Sequence, residues 1–208
     1  MSKFYLYVYD LTRGAAEILS PWILWDKKID AVWHTSVRVF DKEFFFSTNG
    51  IEFAKPYQSV VGKPLYEVYI GEFNHSETEW INFLKKQEEN EYRGENYDLF
   101  KLNCNTFSEL AIQTYFNKSI EPRILEMPNT VLTSQFGGKI KPLILTIAAL
   151  LRKFTSIYMY FANIPSFKVA TDYPPIEDSP MRNSGVDKTN SENFVDTKII
   201  ARDYLGKK

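Results

Sequence analysis

The first half of this 208-residue chain is dominated by segments whose side chains alternate with a period of two, and this feature most constrains the fold. Such segments run from Phe4 to Asp10, from Trp33 to Phe40 and from Leu65 to Phe73, and turn signals between them predict further strands from Glu43 to Ser47 and from Ile51 to Phe53. Asn49-Gly50 is a strong hairpin signal between two of them. A short helix or loop from Gly14 to Ser20 is expected to stop at Pro21. The pattern predicts an antiparallel strand meander.

Helical signals follow the strands. Ser76 and Glu79 have the Ser-x-x-Glu spacing of a capping box, which predicts a helix through roughly Glu89. Another amphipathic helix is predicted to begin after Asn103 and to end at Asn117. Because helices come mainly after the strands and do not alternate with them, the expected fold class is α+β, with the meander packed against helices.

Composition limits the classes of partner and cofactor. The formal net charge is −1, so the whole-molecule field gives no reason to expect nucleic acid as a partner. One cysteine cannot form an internal disulfide, and with two histidines it offers too few ligands for a structural zinc site. We therefore expect no metal, no cofactor and a reducing compartment, the cytoplasm and with it the nucleus.

Three regions are predicted along the chain: a domain over residues 1–142, an extension over 143–170 and a mostly disordered tail over 171–208. In the extension, an apolar run ends at Arg152, well before the roughly 20 residues that a bilayer span needs. An amphipathic helix packed on the domain or on a partner is expected there, with weak membrane association as the alternative. The tail is rich in Pro, Ser, Asn, Asp and Lys, a composition typical of disorder.

The only cysteine, Cys104, directly follows Asn103, a residue type that caps helices. Unpaired N–H groups and the helix dipole in a first turn favour a thiolate, by at most about 2 kcal/mol. A nucleophilic thiol needs more stabilisation than this, and an imidazolium would supply it. His34, on the more polar face of its predicted strand, is the candidate, and it could also donate a proton to a leaving amine.

Other interpretations of these residues stay open. A single cysteine on the apolar side of a helix is commonly an inert core residue, and a strand histidine commonly serves packing. His75, in a loop before a helix, is the reserve base. Three residues could orient an imidazole, and the spacing selects none of them: Asp10, Asn96 and Asp98.

Several blocks of this sequence, in order, resemble the PPPDE superfamily of thiol isopeptidases, the desumoylating isopeptidase family. The blocks are Tyr5–Leu11, Trp33–Ser36, Glu43–Phe46, Tyr92–Glu95 with Tyr97 and Leu99-Phe100, and Asn103–Ser108. The similarity runs from about Tyr5 to Pro142. Leu102 departs from the pattern, since close members of the family carry a polar residue there, and this difference could alter the wall of the substrate groove.

The resemblance implies a papain-like α+β fold in which the histidine precedes the cysteine in the chain. It implies His34 and Cys104 as a catalytic dyad that works through a thioester intermediate, with Trp33, Asn103 and Asn105 shaping the substrate cleft. Members of the family remove ubiquitin or ubiquitin-like modifiers such as SUMO from protein lysines. Conjugates of such modifiers are thus the expected substrates, and a homodimer is the expected assembly, as for the vertebrate desumoylating member.

Two alternatives to an isopeptidase remain. Some members of the family cleave thioester-linked acyl groups, so the same dyad could serve a protein depalmitoylase. The chain could also be a non-catalytic module that binds a modifier, with the dyad spent or misaligned.

Overall fold

The computed structural model describes residues 1–139, 141–142, 144–146 and 167–174. Its strands are β1 (Ser2–Asp10), β2 (Trp33–Val39), β3 (Lys42–Ser47), β4 (Gly50–Ala54), β5 (Tyr66–Phe73) and β6 (Phe167–Lys168). Its longer helices are α1 (Ala15–Leu24), α2 (Glu77–Glu89), α3 (Cys104–Phe116) and α4 (Pro122–Leu132). The strands form one six-stranded sheet in the order β5-β1-β2-β3-β4-β6, and every neighbouring pair is antiparallel. The predicted α+β class and the meander are confirmed.

The register of the sheet decides which side chains share a face. His34 lies opposite Tyr9 in the β1–β2 pair, and Glu43 lies opposite Arg38 in the β2–β3 pair. Because residues two apart on a strand point to the same side, Tyr9, His34 and Glu43 share one face of the sheet. The turn between β3 and β4 falls at the predicted hairpin, where Gly50 has a φ of 106° that suits glycine.

Helices α2 and α3 pack on the opposite face, and their contact with the sheet is largely aromatic. Trp80 of α2 is completely buried. Its ring meets those of Phe4, Phe44 and Phe73 edge to face, at centroid distances of 5.7, 5.5 and 5.7 Å. Such edge contacts are favourable beyond the area that they bury. We call these four residues the aromatic cluster.

Helix α2 begins and ends where the sequence predicts. The backbone N–H of Glu79 donates to Ser76 Oγ at 3.1 Å, and the N–H of Ser76 donates to Glu79 Oε2 at 2.8 Å. This reciprocal pair is a capping box, which satisfies two N–H groups that a helix start leaves free.

The prediction that Pro21 would end helix α1 is wrong. The helix runs from Ala15 to Leu24 and contains Pro21. A proline removes only its own N–H bond, and the i→i−4 pattern resumes behind it, since Trp25 N–H donates to Pro21 O at 3.2 Å. The extra turn matters for the site described below, because α1 forms one wall of the cavity there.

A short C-terminal segment completes the sheet at the β4 edge. Phe167 of β6 pairs with Phe53, and the rings stack at 5.4 Å. After a final helical turn (Val169–Asp172), Tyr173 is buried and its hydroxyl donates to Glu77 of α2. The start of the predicted tail, residues 171–174, therefore packs on the domain.

The rest of the predicted tail, residues 175–208, lies outside the described residues, as does most of the apolar run from Leu143 to Leu151. The division of the chain into three regions thus stays a prediction. Within the part of the chain that the structure covers, no helix has the length and apolar character to cross a bilayer.

Candidate active site

Cys104 is the first residue of α3, and the cap that precedes it is built as the sequence predicts. The side chain of Asn103 accepts hydrogen bonds from the N–H groups of Asn105 at 2.9 Å and Thr106 at 3.2 Å. In return, Asn103 N–H donates to Thr106 Oγ1 at 2.9 Å. The thiol therefore lies in the turn where the helix dipole favours a negative charge.

Polar side chains tie the first turn of α3 to the start of β2. Asn105 Nδ2 donates to the carbonyl of Trp33 at 3.1 Å. The hydroxyl of Thr35 lies 3.1 Å from Asn105 Oδ1 and 2.9 Å from Ser108 Oγ. Because Trp33 and Thr35 flank His34 on the strand, these bonds fix the backbone of His34 against the start of α3.

The side chains of His34 and Cys104 lie together, and the charge of each acts on the other. Burial by itself raises the pKa of the Cys104 thiol. The charge of His34, its hydrogen bond and the backbone N–H groups of Thr35 and Asn105 outweigh burial, so the pKa of Cys104 lies below its ordinary value. When the thiol is protonated it also reaches Asn105 Oδ1, 3.7 Å from Sγ.

The pKa of the His34 imidazole shifts in the opposite direction. Burial lowers the pKa of His34. The charge and hydrogen bond of Cys104 and the charge of Glu43 raise this pKa by more than burial lowers it, so the net pKa is above its ordinary value. The lowered pKa of the thiol and the raised pKa of the imidazole both favour a thiolate–imidazolium pair. This is the state that nucleophilic catalysis by cysteine requires.

A buried carboxylate supports the imidazole. Glu43 has no exposed surface, and its Oε1 accepts hydrogen bonds from Tyr9 at 2.6 Å and Ser36 at 2.9 Å. Its Oε2 has no hydrogen-bond partner among the residues that the structure describes. The rings of Tyr9 and Phe45 lie on either side of His34, at centroid distances of 5.4 and 6.4 Å.

Tyr97 approaches the sulfur from another side. It follows a 3-10 turn (Gly94–Asn96), and its side chain makes a hydrogen bond with that of Cys104. Burial and the charge of Cys104 raise the pKa of Tyr97 far above its ordinary value, so the hydroxyl stays protonated and acts as the donor.

A cavity of about 370 Å³ opens on Cys104 and His34. Leu19 and Ile23 of α1 form one side of it, and Met127 and Val131 of α4 belong to another. Pockets for small ligands commonly measure roughly 300–1,000 Å³. The space next to the thiol is therefore large enough for a substrate group and is mainly apolar.

The predicted cleft residues line this cavity and are themselves largely buried. Trp33, Asn103 and Asn105 are 7%, 3% and 3% exposed. The two asparagines hold α3 and β2 in place, and the guanidinium of Arg123 lies 4.9 Å from the ring centre of Trp33. A role for these three residues in substrate binding stays a prediction.

The reserve candidates lie elsewhere. His75 is 3.7 Å from Glu79 at the start of α2 and is not among the residues that line the cavity. Asp10 accepts bonds from Thr12, and Asp98 accepts one from the N–H of Phe100 at 2.8 Å. Each of these carboxylates thus closes its own turn.

Asn96 likewise serves its own turn, since its Nδ2 donates to the carbonyl of Glu91 at 3.0 Å. Asn96 and the two aspartates are the partners of the imidazole predicted from the sequence, whereas the carboxylate that acts on His34 is Glu43. The sequence predicts no separate role for Tyr97. One signal for Glu43 was present, namely a single acid followed by three phenylalanines on a strand, where a charge must find partners.

Comparisons with known proteins agree with the geometry. The sequence matches the family model described as "PPPDE putative peptidase domain" over residues 2–145. It is similar to proteins named desumoylating isopeptidase 1. The Xenopus laevis protein is 38% identical over 139 residues, which make up 67% of this chain and 82% of that protein. The Homo sapiens protein is 39% identical over 139 residues, with the same shares of 67% and 82%.

The family resemblance noted in the sequence is confirmed by these matches, which cover most of the described domain. The papain-like α+β fold expected from that resemblance is confirmed as well, by the family and by the antiparallel sheet with its packed helices. The chain belongs to the PPPDE family of thiol peptidases, and it is a cysteine-type isopeptidase, a hydrolase.

Proposed function

We propose that this enzyme cleaves the isopeptide bond between a protein lysine and a ubiquitin-like modifier of the SUMO type, with Cys104 as nucleophile and His34 as base and then acid. The observation that carries the proposal is that His34 and Cys104 line one cavity at the capped start of α3, where the charge of each acts on the other. The name of the relatives, desumoylating isopeptidase 1, supports SUMO among the possible modifiers.

The chemistry follows from the charges of the pair. The Cys104 thiolate attacks the isopeptide carbonyl, forming a C–S bond and a tetrahedral oxyanion. Collapse of the oxyanion breaks the C–N bond, and the proton on His34 passes to the departing lysine amine. A water molecule then attacks the thioester while His34 accepts its proton, and the C–S bond breaks to release the modifier carboxylate and the thiolate.

Because Cys104 is only 5% exposed, the site suits a modifier tail that ends in small residues, with further binding from a surface patch on the globular modifier. A homodimer is part of the proposal, as is a location in the cytoplasm and the nucleus.

The test is covalent trapping by SUMO and ubiquitin probes that carry a C-terminal electrophile. Wild type is expected to form an adduct, Cys104→Ala none, and His34→Ala an adduct that forms far more slowly at neutral pH. His75→Ala is the matched control, since it removes the only other histidine and is expected to react like wild type. An adduct with Cys104→Ala would show that the nucleophile is a different residue.

A second activity is favoured by the apolar walls of the cavity. Leu19, Met127 and Val131 could hold the alkyl chain of a fatty-acyl thioester, which the same thiolate would attack. Here the leaving group is a thiol in place of an amine, so the proton on His34 would pass to sulfur.

The variant Leu19→Trp tests whether the cavity binds the acyl chain. Leu19 is 51% exposed, so a larger side chain fits without disturbing the core while reducing the space beside the thiol. Hydrolysis of a long-chain acyl thioester is expected to fall at least tenfold in this variant, with an acetyl thioester as the control that is unaffected. If Leu19→Trp hydrolyses both thioesters at the same rates as wild type does, the cavity does not bind the acyl chain.

A further inference from the structure

Tyr97 is the third side chain that contacts the sulfur of Cys104, after His34 and Asn105. Its side chain lines the same cavity as Cys104, and its hydroxyl is near enough to the sulfur to act as a hydrogen-bond donor to it. The side chain is only partly buried, so one side of it faces the space that a substrate would occupy.

The position of Tyr97 is fixed on both sides. Its ring packs against that of Phe46 at a centroid distance of 5.3 Å. The loop behind it is closed by two backbone bonds between Asp98 and Leu102, at 2.9 and 3.0 Å. A donor held in this way needs no rearrangement during a reaction, which is the condition for effective stabilisation of a developing charge.

Attack by the thiolate moves the negative charge from sulfur to the carbonyl oxygen. In the tetrahedral species both atoms are bonded to the same carbon, so a hydroxyl that reaches the sulfur also reaches the oxygen after a rotation about its C–O bond. Hydrogen bonds to an oxygen anion are short and strong, so the new bond stabilises the oxyanion more than the old one stabilised the thiolate.

We propose that the Tyr97 hydroxyl is the side-chain donor of the oxyanion hole, acting together with the backbone N–H of Cys104 at the start of α3. The proposal rests on the proposed function, since it assigns a further catalytic residue to the same reaction. It transfers no proton: the hydroxyl donates a hydrogen bond throughout, and His34 carries the proton to the leaving group.

Tyr92 supplies a matched control for Tyr97. Its ring also packs against Phe46, at 5.0 Å, and its hydroxyl also makes one hydrogen bond, to the carbonyl of Thr106 at 3.1 Å. Replacing either tyrosine by phenylalanine removes one oxygen and keeps the ring. Only the Tyr97 change removes a donor from the sulfur.

The experiment compares Tyr97→Phe, Tyr92→Phe and wild type in two reactions of Cys104. The first is cleavage of a modifier conjugate, which passes through an oxyanion, and the expected loss of kcat in Tyr97→Phe is about 10²–10³-fold. The second is alkylation by iodoacetamide at a pH where the thiolate is fully formed. Alkylation forms no oxyanion, so its rate is expected to stay within about twofold of wild type. Tyr92→Phe is expected to change neither reaction by more than about twofold.

The other possible outcomes distinguish a failure of the proposal for Tyr97 from a failure of the proposed function. Equal kcat values for Tyr97→Phe and wild type would overturn the proposal for Tyr97 and leave the proposed function intact. A parallel fall in both reactions, with a lower thermal midpoint, would also overturn it, because it assigns Tyr97 a structural role. If wild type cleaves no modifier conjugate, the proposed function fails, and an acyl thioester then provides the same comparison, since its hydrolysis also forms an oxyanion.

Discussion

The aromatic cluster and the site around Cys104 are held by the same sheet and rest on opposite kinds of interaction. In the cluster, Trp80 packs edge to face with three phenylalanines and is completely buried. Around the thiol, Asn105 and Glu43 are just as inaccessible but are held by directed hydrogen bonds. Burial of apolar rings thus stabilises the cluster. At the site, the desolvation of polar groups is destabilising, and only their hydrogen bonds offset this cost.

Because of this difference, the cluster is expected to determine mainly the stability of the fold, and the site mainly the reactivity of Cys104. An aromatic contact can be weakened without changing any charge, so damage to the cluster should lower the free energy of unfolding and leave the reactivity of surviving folded molecules intact. A polar contact beside Cys104 or His34 sets a protonation state, so its loss should change reactivity more than stability. Substitutions in each region test this division.

The largest expected effect on chemistry is that of His34→Ala. Loss of the imidazolium removes the charge and the hydrogen bond that lower the pKa of Cys104, while burial still raises it. The alkylation profile of Cys104 should therefore move to higher pH, and kcat should fall by about 10³–10⁴-fold. In wild type, activity is expected to fall as pH drops through the lowered pKa of Cys104 and again as pH rises through the raised pKa of His34.

The measurement is the rate of iodoacetamide labelling against pH, with unfolding followed in parallel. His75→Ala should give the wild-type profile. A profile for His34→Ala that coincides with that of wild type would mean that the imidazole does not set the state of the thiol.

The largest expected effect on stability is that of Trp80→Ala. Removal of a fully buried indole leaves a cavity among three rings, at a cost of about 3–5 kcal/mol in the free energy of unfolding. Chemical denaturation measures this cost. At a temperature where the variant is still folded, its alkylation profile should match that of wild type, and a shifted profile would show that the two regions are not separable.

A smaller effect is expected of Glu43→Gln. The amide can still accept from Tyr9 and Ser36 but carries no charge, so the pKa of His34 should fall towards its ordinary value. The alkaline limb of the activity profile should move to lower pH by about one unit or less, a change of about 1 kcal/mol. Stability should change little, because the desolvation of a buried charge is removed as well.

Glu67→Gln is the control for this substitution. Glu67 accepts a bond from Tyr57 at 2.6 Å, the same length as the bond from Tyr9 to Glu43, but its charge does not act on His34. An alkaline limb that moves equally in both variants would point to a general effect of charge and against a specific role of Glu43.

What could be predicted from the sequence was local. Alternation over a strand and the side chains of a cap act within a few residues, so strands β1 to β5 and the starts of α2 and α3 were predicted correctly, whereas β6 was not predicted. The prediction that the first helix ends at Pro21 is wrong, because this proline removes a single backbone hydrogen bond and the apolar residues after it continue the helix. Helix α4 begins at Pro122, whereas the short helix expected in this region was predicted to begin only at Asn129 and to end at Gly137-Gly138.

The rest depends on contacts between distant segments. Tyr97 and the charge of Glu43 reach the dyad only after the sheet and α3 have assembled, and the phenylalanines beside Glu43 indicate only that its charge needs partners, not which residues these are. The pairing of His34 with Cys104 was expected from the residue types, and the structure adds the bonds of Asn105 and Thr35 that hold the two segments together. The catalytic roles themselves stay a prediction.

The smallest expected effect gives the sharpest comparison, because α2 and α3 begin with equivalent capping boxes. Ser76→Ala and Asn103→Ala each remove a cap, at about 1 kcal/mol in the free energy of unfolding. Only Asn103 precedes the thiol, so only its loss should slow alkylation of Cys104 at pH 6, through a looser first turn and a weaker hold on the thiolate. Denaturation and alkylation of the two variants measure this directly. If both lose equal stability and neither changes the alkylation rate, the cap serves the helix alone, and the dyad must owe the state of its sulfur to His34.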